Sequence, residues 1–264
     1  MRKKLVVGNW KMNMSQAEAI SLAQSLQTGL SQVEKAEIGV CPTFLCLPKV
    51  SEILRHSSIF VGAQDCFWVP KGAFTGQISA QMLADFGVRA CIVGHSETRG
   101  RFGKLEIDEN AVSLFSESNL TINLKIKALL KVGLTPILCV GETLQERQSG
   151  LTDETVKTQL TECLTLIEGA EFFNGVIAYE PVWAIGTGEV CETAEASRVC
   201  GFIRETLAGL FGAEVAAETR ILYGGSVKGS NARELFHADD IDGGLVGGAS
   251  LLSDEFQRVV LSAN

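Results

Sequence analysis

Three side chains that lie far apart in the sequence, Lys11, His95 and Glu180, each follow a short apolar run, and their types are those of an acid–base centre. Glu180 ends the run Val176 to Tyr179 and precedes Pro181. Proline cannot continue a β ladder, so the carboxylate at this strand exit points away from the sheet and can act as a general base. A salt-bridged rim glutamate is the plainer alternative. His95 follows Cys91 to Gly94 and precedes Ser96-Glu97, which places an imidazole at a second strand end. On its own it also reads as a satisfied structural histidine. His-x-Glu occurs in zinc deaminases, but the Pro-Cys-x-x-Cys half of that signature is missing, so no metal is expected. Lys11, if it points inward, sets a fixed positive charge opposite Glu180, and its neighbours Asn9 and Trp10 favour an ordered turn. A solvated lysine is the commoner fate.

Two further features suit a site of this kind. Val182-Trp183-Ala184-Ile185-Gly186-Thr187-Gly188 is apolar with small residues at its far end, as in a lid that expels water. A buried turn beneath a helix would look the same. Near the end of the chain, Tyr223-Gly224-Gly225-Ser226 and Gly243 to Gly248 are glycine-rich. Glycines let backbone N–H groups crowd around a phosphate. Neither stretch is a nucleotide motif, because Gly224 to Ser230 lacks the lysine of a P-loop and no Gly-x-Gly-x-x-Gly follows the first strand.

The elements that must position these groups recur along the whole chain. Eight β-branched runs stand out: Leu5 to Val7, Ile38 to Cys41, Ile59 to Val61, Cys91 to Val93, Ile137 to Val140, Val176 to Tyr179, Ile221 to Tyr223 and Leu245 to Val246. Most are followed by helical periodicity, as in Ser15 to Leu30 and Thr193 to Leu210. Strands that alternate with helices form a parallel sheet. An open doubly wound sheet gives the same local pattern, but the strand-end polar residues (Asn9, Lys11, Gln64, His95, Glu142, Glu180, Ser226, Gly247-Gly248) are spread over nearly the entire sequence. Only a closed (β/α)8 barrel gathers all of them on one face. Without a Pro-, Ser- or Gly-rich linker or a repeat, one domain over residues 1–264 is expected. The stretch from Lys104 to Ile122 is polar and weakly periodic, and it reads as a surface excursion or an extra helical turn.

A net charge of −8 and the lack of a Lys/Arg run argue against nucleic acid and anionic membrane as partners, yet leave room for a small anionic ligand in a locally positive pocket. The charged start, Met1 to Lys4, is followed by an apolar run too short for a signal peptide, and no stretch reaches membrane-spanning length, so a cytoplasmic protein is expected. The cysteines include no Cys-x-x-Cys pair, and Cys41, Cys91 and Cys139 lie in strand-like runs, which favours buried free thiols over disulfides. His56 and His237 read as surface residues.

Gly8 to Asn13, Val93 to Glu97, Ala178 to Gly188, Tyr223 to Val227 and Gly247 to Leu251 together resemble the triosephosphate isomerase family, in order and over almost the whole chain. The resemblance implies a TIM barrel that interconverts dihydroxyacetone phosphate and D-glyceraldehyde 3-phosphate through an enediolate, in glycolysis and gluconeogenesis, without a cofactor. It assigns Glu180 as base, His95 as proton-shuttling acid and Lys11 as electrostatic stabiliser. Asn9 would orient the substrate, Gly186, Ser226, Gly247 and Gly248 would grip the phosphate, Glu97 would support Lys11, and Ser96 would begin a helical turn that keeps the imidazole neutral. This family is itself the standard example of a neutral catalytic imidazole at a helix start.

The resemblance also implies a homodimer, with the loop Phe67 to Phe74, including Trp68 and Val69, docking on the partner and Thr75 reaching the neighbouring site. Here the chain departs from the family. Gln77 and Thr98 replace a common Glu and Arg, Lys104 replaces a Glu, and about a dozen extra residues lie before Ile122. Two other readings remain open from the residues: another cofactor-free sugar-phosphate barrel, and a non-catalytic binding protein.

Overall fold

The structure, a computed structural model, describes residues 2–104 and 107–263. Among them the strands β1 (Lys4–Asn9), β2 (Ala36–Cys41), β3 (Ile59–Ala63), β4 (Ala90–Val93), β5 (Thr135–Val140), β6 (Val176–Tyr179), β7 (Arg220–Tyr223) and β8 (Gly243–Val246) close in sequential order into one parallel barrel. Val6 faces Ile38 on one side and Gly244 on the other, so β1 joins the two ends of the sheet. The runs read from sequence are all strands, lengthened by at most three residues.

Helices fill the crossovers: α1 (Gln16–Gly29), α2 (Leu47–Leu54), α3 (Ala80–Asp85), α4 (Asn119–Lys131), α5 (Leu144–Gln148), α6 (Thr152–Cys163), α7 (Gly169–Phe172), α8 (Thr193–Phe211), α9 (Ala213–Glu218), α10 (Ala232–His237) and α11 (Ser253–Leu261). Ser15 caps α1 in a reciprocal capping box with Glu18, a device worth about 1 kcal/mol. Ala19, Leu22, Ala23 and Leu26 then bury the inner face of that helix. No described helix is long and apolar enough to cross a membrane.

Strand alternation sorts the core into two layers. Leu5 and Val7, Ala90 and Ile92, Ile137 and Cys139, and Val176 and Ala178 meet Cys41, Phe60, Leu222 and Leu245 inside the barrel. The intervening Val6, Cys91, Leu138, Ile177 and Tyr179 pack outward with the helices. The same alternation continues past the strand ends. Asn9 follows Val7 on the inward side, and Glu180 follows Ala178, so the fold aims both into the mouth. All eight cysteines are buried and free.

The region after β4 contains an exposed 3-10 helix, Glu109–Phe115, capped by Asp108, with Leu114 and Phe115 facing solvent. Part of the excursion expected between Lys104 and Ile122 falls on residues 105–106, which lie outside the described residues. The chain returns to the barrel at Glu117, where its N–H donates to the carbonyl of Thr98.

Candidate active site

A cavity of about 400 Å³ opens at the C-terminal mouth of the barrel, the face toward which every strand runs. It is lined by Asn9, Lys11, His95, Glu180, Gly186, Ser226, Gly247 and Gly248, together with residues given no site role from sequence, among them Asn13, Gly225 and Lys228. Ser96 and Glu97 stand behind His95 and reach the cavity through their partners.

His95 owes its place to one glycine. Ile92 points inward and Val93 outward, so unbroken alternation would turn His95 out with Val93. Gly94 adopts φ +66, which reverses the path and brings His95 back to the mouth. A Cβ at Gly94 would also stand 2.8 Å from Ile122 Cδ1 and 2.9 Å from Arg99 Nη2.

The turn that follows sets the protons. The N–H of Glu97 donates to His95 Nδ1 at 3.2 Å, so the ring proton resides on Nε2. Glu97 Oε2 is 3.6 Å from the same nitrogen, too far to hold a proton there against the backbone donor. Nε2 lies 2.8 Å from Glu180 Oε1, yet that oxygen has no aligned hydrogen bond. The contact is close without locking the pair. Glu180 Oε2 accepts from the N–H of Ser96 at 2.9 Å, so Ser96 supports the carboxylate while Glu97 supports the ring. Burial by itself raises the Glu180 carboxyl, but the imidazole of His95, the Ser96 N–H and the charge of Lys11 outweigh it and hold it below the ordinary glutamate value. The group is a buried carboxylate, 1% exposed.

Lys11 has φ +50, a strained left-handed backbone. Asn9 Oδ1 accepts from its N–H at 3.0 Å, and Gln64 Nε2 donates to its carbonyl at 2.8 Å. Its ammonium is 2.6 Å from Glu97 Oε1. Gln64 appeared in the sequence only as a strand-end polar residue. Its role is to brace Lys11 against β2, since Nε2 also donates to the carbonyl of Cys41.

The segment after Glu180 is a 3-10 turn, Val182–Ala184, held down at its start. Glu142, fully buried, accepts from Trp183 Nε1 at 2.7 Å and from the Tyr179 hydroxyl at 3.2 Å. Burial raises the Glu142 carboxyl despite these donors. Arg147 lies 4.2 Å from the Trp183 ring centre as a cation–π partner. Beyond the turn, Gly103 packs so tightly that a Cβ would stand 2.6 Å from the carbonyl oxygen of Ile185. At the far end Gly186 and Gly188 take φ +70 and +90 with open space at their Cβ positions, while Thr187 between them donates from Oγ1 to the carbonyl of Trp183 at 2.8 Å. An anchored start and two sterically open glycines at the far end suit a segment that moves as a lid.

Thr98 links the turn after His95 to the region before α4. The Thr98 hydroxyl lies 2.9 Å from both the carbonyl of His95 and Glu117 Oε2, which share its single proton. Glu117 also lies against Lys125, whose ammonium is 2.6 Å from Asp65 at the end of β3. Glu117, Lys125 and Asp65 were not recognised as a unit from sequence, because nothing in their spacing brings them together. Asn231 was also missed, although its partners are local. It accepts from the N–H of Lys228 at 2.8 Å and donates to the carbonyl of Ser226 at 3.0 Å, stapling the glycine-rich turn after β7.

Similarity to known proteins agrees with this geometry. The family profile described as triosephosphate isomerase matches residues 4–263. The chain is 47% identical over 264 residues to the triosephosphate isomerase of Prosthecochloris aestuarii, covering 100% of this chain and 99% of that one. It is 46% identical over 258 residues to that of Acetivibrio thermocellus, covering 98% and 97%. With the profile spanning nearly its whole length and relatives of this identity aligned from end to end, the chain belongs to the triosephosphate isomerase family.

Proposed function

We propose that this chain interconverts dihydroxyacetone phosphate and D-glyceraldehyde 3-phosphate, with residues 1–264 acting as one catalytic domain. Glu180 removes a proton from the carbon that bears the hydroxyl, the electron pair moves toward the carbonyl oxygen, and an enediolate results. His95 offers its Nε2 proton to that oxygen and shuttles protons between the two oxygens. Glu180 then returns its proton to the neighbouring carbon. Lys11 stabilises the developing negative charge from a fixed position, and Asn9 orients both Lys11 and the substrate. The backbone at Gly186, Ser226, Gly247 and Gly248 holds the phosphate, and closure of the lid excludes water from the enediolate.

The observation that carries this reading is the pairing of a buried carboxylate with an imidazole whose proton is assigned to the facing nitrogen, 2.8 Å away. A base and a neutral acid side by side are what transfer of a proton between adjacent carbons requires. The test is isomerisation by the unmodified protein compared with Glu180→Asp and His95→Gln. Losses of about 10²-fold or more are expected from misplaced or removed acid–base groups. Well-folded protein with no detectable isomerisation would overturn the reading.

The same reading places the protein in the cytoplasm, in glycolysis and gluconeogenesis, as a homodimer. The support for the dimer is the loop in which the Phe67 ring packs at a tilt against Trp68, centroids 4.1 Å apart, and against Phe74, centroids 4.9 Å apart, with Phe74 exposed. Apolar rings presented in this way suit a partner surface. A monomer at micromolar concentration in analytical ultracentrifugation would contradict it.

A further inference from the structure

The charged residues that line the cavity are Lys11, Glu180 and Lys228. Lys11 is already matched by Glu97 at 2.6 Å, so Lys11, Glu97 and Glu180 together carry a net negative charge. A phosphate dianion would enter this mouth against that charge and against the −8 of the whole protein. Lys228 is the lining cation with no ion pair among the described residues, and it is exposed.

Its main chain is fully occupied. The N–H donates to Asn231 Oδ1 at 2.8 Å, and the carbonyl accepts from the N–H groups of Asn231 at 3.1 Å and Ala232 at 2.9 Å. The same Asn231 holds the carbonyl of Ser226, so Lys228 is tethered on a rigid turn two residues from a phosphate-gripping position. What Lys228 can offer a ligand is its ammonium group.

Building on the isomerase reading, we infer that Lys228 is a further substrate-binding residue, supplying at the phosphate end of the cavity the positive charge that makes the mouth acceptable to a dianion. Its effect falls on capture and ground-state binding, because it acts on the phosphate and not on the carbons where protons move. A single charge several ångströms from a dianion in a solvated mouth is worth about three- to tenfold at low ionic strength, and less as salt screens it.

Lys228→Met, Lys228→Arg and, as a control for total charge, Lys157→Met on the outer face of α6 are compared at low and physiological ionic strength. Two readouts are taken: steady-state kinetics with the triose phosphates, and equilibrium titration with inorganic phosphate. The expected result is a three- to tenfold rise in KM and in the phosphate Kd for Lys228→Met at low salt, shrinking as salt rises, with kcat within about twofold. Lys228→Arg keeps the charge and stays near the unmodified protein. The inference is overturned if Lys228→Met binds phosphate as Lys157→Met does, or if its loss lies in kcat with KM unmoved. Absence of isomerisation in the unmodified protein would overturn the enzyme reading instead, and the phosphate titration would still decide the role of Lys228.

Discussion

Replacing Gly94 by alanine probes how His95 reaches the mouth. Gly94 has φ +66, and an L side chain in this region costs about 1–2 kcal/mol. The added methyl would also meet Ile122 Cδ1 at 2.8 Å and Arg99 Nη2 at 2.9 Å. Both are ends of flexible side chains, so overpacking falls at the low end, about 1 kcal/mol. The sum is about 2–3 kcal/mol, which for a chain of this size lowers Tm by roughly 4–12 °C. The displacement matters more than the energy. Arg99 donates from Nε to the carbonyl of Gly94 at 2.7 Å and from Nη2 to that of Cys139 at 3.2 Å, so pushing it aside loosens the turn that carries His95. A shift near 1 Å at an acid–base group costs about 10²-fold in rate. Gly87 provides the control, because it has φ +73 with open space around its Cβ position. Gly87→Ala should lose about 1–2 kcal/mol from the backbone alone and keep its kcat. The assay is thermal unfolding at matched protein concentration alongside steady-state isomerisation. If Gly94→Ala and Gly87→Ala are equal in Tm and in kcat, Gly94 does not steer His95 and the reasoning fails.

Three other outcomes follow from the site. Glu142→Ala leaves the buried donors of Trp183 and Tyr179 without an acceptor, at about 1–3 kcal/mol each, and should weaken both stability and kcat. Glu142→Gln keeps one acceptor and should lose clearly less, so equal losses in unfolding and kinetic measurements would show that these bonds do not anchor the lid. Because the Glu180 carboxyl is held below the usual range, kcat/KM should stay level as pH falls to the ordinary glutamate value and decline only below it. The stabilisation from that carboxylate follows the same sign, being present above the ordinary value and lost as pH falls through the depressed one. Removing the positive charge with Lys11→Met should move the acidic limb of the pH profile upward, and an unmoved limb would exclude Lys11 from the carboxylate's surroundings. Finally, burial raises the Cys41 thiol to about 12 and covers the other seven thiols, so a thiol-specific colorimetric reagent should react slowly with native protein and rapidly with all eight after denaturation. Prompt reaction of the native protein would contradict this packing.

How much of this was legible beforehand depended on the range of each interaction. Strand positions come from local composition, since β-branched runs seek a pleated and buried surface whatever their neighbours. Period-two alternation carries that reading one step further, from Val176 and Ala178 to Glu180, because orientation along a strand repeats with the backbone. His95 lay beyond this rule. The glycine before it is visible in the sequence, but its positive φ sits in a turn packed by Arg99 from just beyond it and by Ile122 from helix α4.

The roles read for Lys11, His95 and Glu180 therefore rested on residue type, strand-end position and resemblance to a family. Only the folded chain decided their relations. The proton of His95 is placed by the N–H of Glu97, the carboxylate of Glu180 by the N–H of Ser96, and the backbone of Lys11 by Asn9 and Gln64. The bridge from Thr98 through Glu117 and Lys125 to Asp65 joins the β4–α4 connection to helix α4 and to the loop after β3, and no local pattern encodes it. Propensity and periodicity act over a few residues, so a sequence by itself determines elements and the faces they bury. The bonds from Glu97 to His95 and from Lys11 to Asn9 are local turns, but those from Ser96 to Glu180, Gln64 to Lys11 and Lys11 to Glu97 span 50 residues or more, exist only after the barrel closes, and bring the local turns together as a site.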